Sequence, residues 1–262
     1  MEKLLIVQAD DFGMTHGCNL AVEDCYKNGI LTCTSIMAQA PWAEQAAVIA
    51  RANPGLCVGA HLATVCEWRG YRWRPVMPYS EVSTLVDENG FLHQSPEAFF
   101  ARNVDYDQLE REFMAQMDLL TNKWGIELGY VDNHYSSGKD FNAPEYYQVI
   151  QRVAAAYKLR IIWELGYARF PTIYNKHPEQ EAIFVSAVEN MEPGTYISLH
   201  HLLQNDPESK AIEYFDTPVN PPGGVAINRA GEADTLRSPA VKAAIEKHGV
   251  KLVNYKELLA SG

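Results

Sequence analysis

The sequence predicts an α/β protein: an irregular (β/α) barrel of about seven mostly parallel strands, TIM-barrel-like in architecture. Three observations point there. Short apolar runs alternate with helical patterns from one end of the chain to the other, the pattern of parallel strands joined by crossover helices. The alternation recurs roughly seven times, enough for a sheet to curl on itself. At 262 residues the chain suits one large domain, and 1–262 is read as a single barrel rather than two units.

The elements follow in order. The first strand, 4–10, is the run Leu4-Leu5-Ile6-Val7-Gln8-Ala9, and it ends on Asp10-Asp11-Phe12-Gly13. A helix over 17–28, a strand over 31–38, a helix over 42–52 and a strand over 56–63 come next. Beyond a long loop, 64–104, the pattern resumes with a helix over 105–124, a strand over 129–135, a helix over 144–157 and a strand over 159–165. A helix over 177–190 leads to a strand over 195–202, a second long loop, 203–237, a helix over 238–248 and a last strand, 250–254. The final helix carries explicit end signals: Ser238 as N-cap, Pro239 at the first helical position, and Gly249 as the stop after His248. Chemistry on such a barrel sits at the C-terminal ends of the strands, and insertions as long as 64–104 and 203–237 build its cleft.

Composition bounds the partners. The chain is 47% hydrophobic and 21% charged, ordinary for a globular protein, and its formal charge of -11 argues against nucleic acid, which needs clustered Lys and Arg. Cys18, Cys25, Cys33, Cys57 and Cys66 form no Cys-x-x-Cys pair and read as reduced, buried side chains. No signal-peptide pattern or membrane-length apolar run is present, so a soluble cytoplasmic protein with no membrane partner is expected. A homodimer is left open.

The adjacent carboxylates Asp10 and Asp11 carry the first chemical signal. Two like charges at the end of a buried strand are costly unless a cation or a proton intervenes. A metal ion on one and a proton-handling role for the other resolves the cost; a helix N-cap pair is the plainer alternative. On a regular strand adjacent side chains diverge, so an irregular strand end is expected if both acids reach one site.

Strand ends elsewhere add to this. In Gly59-Ala60-His61-Leu62-Ala63, His61 shares its face with Gly59 and Ala63, which leaves room around the ring. Asp132 and His134 share a face, and so do Ser198 and His200, which makes His200 the inward candidate and sends His201 toward the helices or the loop. One Asp and two His from three strand ends make a three-ligand site with open positions, as in catalytic zinc centres, although each histidine alone also suits a structural role. Asp132 either orients an imidazole or water, or caps the next turn.

Ala9-Asp10-Asp11-Phe12-Gly13 with Gly29-Ile30-Leu31-Thr32-Cys33-Thr34-Ser35, Gly59-Ala60-His61-Leu62, Leu85-Val86-Asp87-Glu88-Asn89-Gly90-Phe91, Val131-Asp132-Asn133-His134 and the tail from Arg229-Ala230-Gly231-Glu232 to Tyr255 resemble the YdjC-like carbohydrate deacetylases, in order along nearly the whole chain. The resemblance implies an irregular (β/α) barrel, one divalent metal ion (Mg2+ or Zn2+) and removal of an acetyl group from an N-acetylated sugar or oligosaccharide, a chitooligosaccharide or its phosphate among them. By position it implies metal ligation by Asp11, His61 and His134, Asp10 as general base, and His200 as the family's C-terminal histidine. The chain departs from the pattern at Tyr135-Ser136-Ser137-Gly138, where relatives carry further histidines, and at His201-Leu202, where Pro-Gly is usual. Trp163 and Glu164 stand where an arginine near the site is looked for.

The implied chemistry needs a base for water, met by Asp10, and an acid for the leaving amine, assigned to His200. In loop 66–80, Trp68, Trp73, Arg72 and Arg74 suit sugar faces and an anionic substituent, or else pack over the barrel mouth or an interface. Tyr135 either stacks on substrate or lies in the core. Two other classes remain: a non-haem metal oxygenase using the same ligand types, and a sugar-binding barrel without catalysis.

Overall fold

The computed structural model describes residues 2–135, 143–216 and 223–260. Ser136, Ser137 and Gly138, where the sequence departs from the family pattern, lie outside the described residues, as does 217–222 within the second long loop.

In chain order the elements are β1 (Lys3–Phe12), α1 (His16–Asn28), β2 (Cys33–Ile36), α2 (Ala43–Ala52), β3 (Cys57–Leu62), α3 (Pro96–Phe100), α4 (Tyr106–Asp118), β4 (Leu128–Asn133), α5 (Pro144–Ala156), β5 (Ala168–Arg169), α6 (Gln180–Glu189), β6 (Gly194–His201), α7 (Pro207–Lys210), α8 (Gly224–Arg237), α9 (Pro239–Lys247), β7 (Val250–Leu252) and α10 (Tyr255–Ala260). The strands form one parallel sheet in the order β4-β3-β2-β1-β6-β5, with β7 paired to the first half of β1. β1 is therefore central, flanked by β6 on one side and by β7 then β2 on the other.

Alternation along β1 sorts its side chains between two cores. Leu5, Val7 and Ala9 join the large apolar cluster shared with the helices, among them Val22, Ala46, Phe113 and Val153. Ile6 points the other way, into a smaller cluster with Cys33, Cys57, Tyr130, Ile162, Ile197 and Tyr255 that fills the floor inside the curled sheet. Gln8 and Asp10 continue Ile6's face toward the C-terminal ends of the strands, which fixes where a polar site can form. A Cβ on Gly59 would lie 2.1 Å from Tyr130 Cε2, so the small residue makes room for that tyrosine ring rather than for the His61 imidazole.

The sheet is a curled half-barrel, six parallel strands plus β7: the irregular TIM-like barrel expected is barrel-like but does not close. The reason lies at 159–165, predicted as a strand. Ile161 makes a single parallel bridge to Val131, and the chain then turns through a 3-10 segment, Ile162–Glu164, and Gly166 at φ 70°. The next pairing is the two-residue β5, which joins β6 and not β4. Among the described residues no ladder links the two edges. The loop expected at 203–237 is also corrected, since its second half is the fourteen-residue helix α8. The end signals of the last helix do operate: Ser238 Oγ accepts from Ala240 N and Val241 N, and Gly249 follows at φ 64°. All five cysteines are buried and unpaired. No described helix is long and apolar enough to cross a membrane.

Candidate active site

The two acids at the end of β1 reach one site because the strand is broken there. Pairing with β2 is regular at Ala9↔Thr34 and resumes at Phe12↔Ile36, so β1 spends one residue more than its partner. Asp11 absorbs the irregularity at φ 65°, a left-handed conformation that costs a non-glycine residue about 1–3 kcal/mol and persists only where the surroundings hold it. They do so here: Met14 N and Cys18 Sγ both donate to the Asp11 carbonyl oxygen, at 2.9 and 3.3 Å.

Around Asp11 stand two imidazoles. His61, near the end of β3, places Nε2 3.7 Å from Asp11 Oδ1, and His134, just past β4, places Nδ1 3.2 Å from the same oxygen. All three side chains are buried. The far ring nitrogens meet acids, His61 Nδ1 lying 3.4 Å from Asp132 Oδ2 and His134 Nε2 2.9 Å from Glu67 Oε2. Asp11 Oδ2 accepts from Arg229 Nη1 of α8 at 2.7 Å, whereas Oδ1 is buried without a hydrogen-bond partner. An orphaned carboxylate oxygen facing two ring nitrogens, each ring backed by a carboxylate, fits a divalent cation held by one oxygen and two nitrogens.

The charges within this buried cluster set its protonation. Burial pushes the Asp11 carboxyl up, but Arg229 and His134 outweigh it and hold the group well below the usual carboxylate range. Asp10 moves the other way, raised chiefly by burial, with Asp132 adding to it against the pull of His61 and His201. Burial would lower His134, yet Glu67 and Asp11 raise it to about 10. His61 is likewise raised, its burial outweighed by Asp10 and Asp132. The raised imidazoles share one cause, the carboxylates Asp10, Asp11, Glu67 and Asp132 around them, which favour positive charge at this spot.

Beneath the acids lies a polar layer. Gln8 Nε2 donates to Asp10 Oδ1 at 2.7 Å and to Asp132 Oδ2 at 3.0 Å, and Tyr255 OH donates to Gln8 Oε1 at 2.7 Å. Asp132 faces the His61 imidazole through Oδ2, and its Oδ1 accepts from the adjacent Asn133 N.

A cavity of about 800 Å3 opens above this layer. Of the site residues expected from the sequence, Asp10, His61, Asp132, His134 and Tyr135 line it. His200 does not. In the β1–β6 ladder Asp10 pairs with His201 and Ala9 with His200, so His201 faces the cavity. The reading that placed His200 inward is reversed. Its ring bonds Ser198 Oγ at 2.7 Å and Glu232 Oε2 at 3.2 Å on the helix side, because Ile197 and Leu199, not Ser198, continue the inner face of β6.

The loop after β3 is also placed differently. Trp68 and Trp73 are buried behind the cavity, Trp68 stacked on Tyr214 and Trp73 beside His134 at 5.9 Å. Arg72 pairs with Asp87 at 3.0 Å, and Arg74 lies over the Phe91 ring at 4.2 Å. Both guanidinium groups tie the loop to 87–91 and neither lines the cavity. Sequence reasoning missed Gln8, Glu67, His201, Tyr174, Tyr214 and Arg229 as site residues. Arg229 stood in the tail motif, and Gln8 two residues before Asp10 on an alternating strand.

Comparison with known proteins gives the family. The chain is 28% identical over 263 residues to the carbohydrate deacetylase of Geobacillus stearothermophilus, covering 98% of both chains. It is 25% identical to the chitooligosaccharide deacetylase of Serratia marcescens, over 98% of this chain and all of that one. In fold it is similar to the crystal structure of a protein from Enterococcus faecalis V583 described as a candidate cellobiose-phosphate cleavage protein, with a TM-score of 0.80 at 24% identity over 98% of this chain and 99% of that one. The model of the YdjC-like protein family matches residues 4–247, and the chain belongs to that family.

Proposed function

We propose that this protein is a metal-dependent N-deacetylase that removes the acetyl group from an N-acetylated sugar or chitooligosaccharide. The observation that carries the reading is the buried Asp11–His61–His134 cluster beside a separate carboxylate, Asp10, on one cavity. The names of the relatives from Geobacillus and Serratia support it. One carboxylate and two imidazoles suit Zn2+ better than Mg2+, which prefers an all-oxygen shell. Lewis-acid polarisation of the amide carbonyl and acidification of water are what a divalent cation held there supplies.

The chain's own groups do the rest. Asp10 takes the proton of the attacking water, and its raised pKa brings it closer to the range in which a carboxylate accepts one usefully. Gln8 fixes Oδ1 of that carboxylate from below. His201, rather than His200, protonates the leaving nitrogen. Burial and Arg229 hold its pKa below the usual imidazole range, so its protonated form is a strong donor. Tyr135, Trp163, Tyr167 and Tyr214 give the cavity faces on which sugar rings stack. Arg169, exposed on the cavity wall, takes the place of Arg72 and Arg74 as the group that would meet a substrate phosphate.

The test is acetate release from N,N′-diacetylchitobiose by metal-loaded protein, with and without a chelator. Release that needs the metal supports the reading, and its absence at full metal occupancy refutes it.

A further inference from the structure

Arg229 is a guanidinium whose ion pair with Asp11 the proposed chemistry does not use. It arises from the middle of α8, is 3% exposed, and places Nη1 2.7 Å from Asp11 Oδ2. Its Nε has no hydrogen-bond partner, and its Cζ sits 5.1 Å over the Trp68 ring, itself stacked on Tyr214 at 4.8 Å. The guanidinium is thus held by packing on one side, and its short hydrogen bond goes to a single carboxylate oxygen, with Met14 Sδ a distant second partner at 4.0 Å.

That oxygen matters because of what the other one does. Asp11 Oδ1 faces His61 Nε2 and His134 Nδ1, with no hydrogen-bond donor of its own. Were both oxygens free, Asp11 could chelate a cation through two atoms or turn its carboxylate away from the imidazoles. We infer that Arg229 is a positioning residue that occupies Asp11 Oδ2, so that Asp11 serves a cation through Oδ1 alone. The inference rests on Asp11 as a metal ligand, and extends it to how that ligand binds. Single-oxygen ligation keeps positions open for water and for the carbonyl of a substrate. It also explains why the bundle of Trp68, Tyr214 and α8 is built against the far side of the centre: it holds the guanidinium that orients the ligand.

The test uses full-length wild type, Arg229→Met, Arg229→Lys, Asp11→Ala and the Asp11→Ala/Arg229→Met double variant. Zn2+ affinity is measured by competition with a chelator, and the Co2+-loaded forms are compared by visible absorption, which reports coordination number. Arg229→Met should weaken Zn2+ binding by about 10–100-fold, the range for losing a partner of a metal ligand. Its Co2+ spectrum should change, and Arg229→Lys should recover part of the affinity. In the Asp11→Ala background the same Arg229→Met change should cost little, because its effect passes through Asp11. Affinity within about twofold of wild type with an unchanged Co2+ spectrum would overturn the inference, as would equal losses in both backgrounds. Should Arg229→Met fail to fold, the Arg229→Lys spectrum and affinity decide by the same criteria. Wild-type protein that binds no Zn2+ would sink the reading of the centre and this inference together, whereas normal wild-type binding with indifferent variants sinks this inference alone.

Discussion

Asp10 and His201 sit opposite each other in the β1–β6 ladder and face the same cavity, while their neighbours Ala9 and His200 form the adjacent pair and face the helices. This one-residue choice decides which histidine can act on a substrate. His201→Ala should lower kcat by roughly 10²-fold or more, the scale of a lost general acid, without loss of metal. His200→Ala should leave kcat near wild type but lower stability by about 1–3 kcal/mol, because Glu232 and Ser198 lose a buried partner. Steady-state kinetics with thermal melts would check both, and the reverse pattern would restore His200 to the site.

The ligand set makes its own prediction. His61→Ala and His134→Ala should each lose most of the bound metal while circular dichroism stays close to wild type, since both rings lie at strand ends and not in either apolar cluster. Full occupancy in both variants, read by elemental analysis after gel filtration, would mean that the cation binds elsewhere.

Asp10 is expected to behave differently from Asp11. Asp10→Asn keeps the shape and the metal but removes the base, so turnover should fall by roughly 10²–10⁴-fold. Near-normal turnover would remove Asp10 from the chemistry.

Away from the site, Glu112 of α4 anchors the loop that follows β3, accepting from Val76 N and Met77 N at 2.9 Å each. Burial raises its pKa above the ordinary 4.5, against the hydrogen bonds that lower it. The folded chain then binds the proton more tightly than the unfolded one, so this group's contribution to stability falls as pH rises upward from 4.5. Glu112→Gln removes that slope. Its stability deficit relative to wild type should therefore shrink between about pH 4.5 and 7 in parallel denaturant titrations, and a deficit that grows would contradict the assignment.

How far the sequence could be read depended on what each residue's neighbours had to supply. β1 was legible because Leu5, Val7 and Ala9 alternate with Ile6, Gln8 and Asp10, and because paired acids at a strand end announce an irregularity, found at Asp11. His61 and Asp132 were legible for the same reason, each near the end of a short strand, and His134 because it directly follows one. The His200/His201 choice was not, because β6 carries apolar residues inward and polar ones outward, inverting the usual rule: the cavity is lined by Ile197 and Leu199 while Ser198 and His200 are satisfied among helices. The stretch 159–165 reads as a strand by composition, yet whether it pairs depends on a neighbour that the half-barrel does not provide. The basic, aromatic loop 66–80 announced its side chains but not their directions, and Asp87 and Phe91 drew the arginines away from the cavity.

The proposed deacetylase activity depends on one cation held at Asp11, His61 and His134. Acetate release from N,N′-diacetylchitobiose, followed while metal-stripped protein is titrated with Zn2+, tests it most directly. Activity should be absent at the start, rise in proportion to added metal, and level off at one equivalent per chain. Acetate release that is independent of metal, or no release at one bound equivalent, would contradict it.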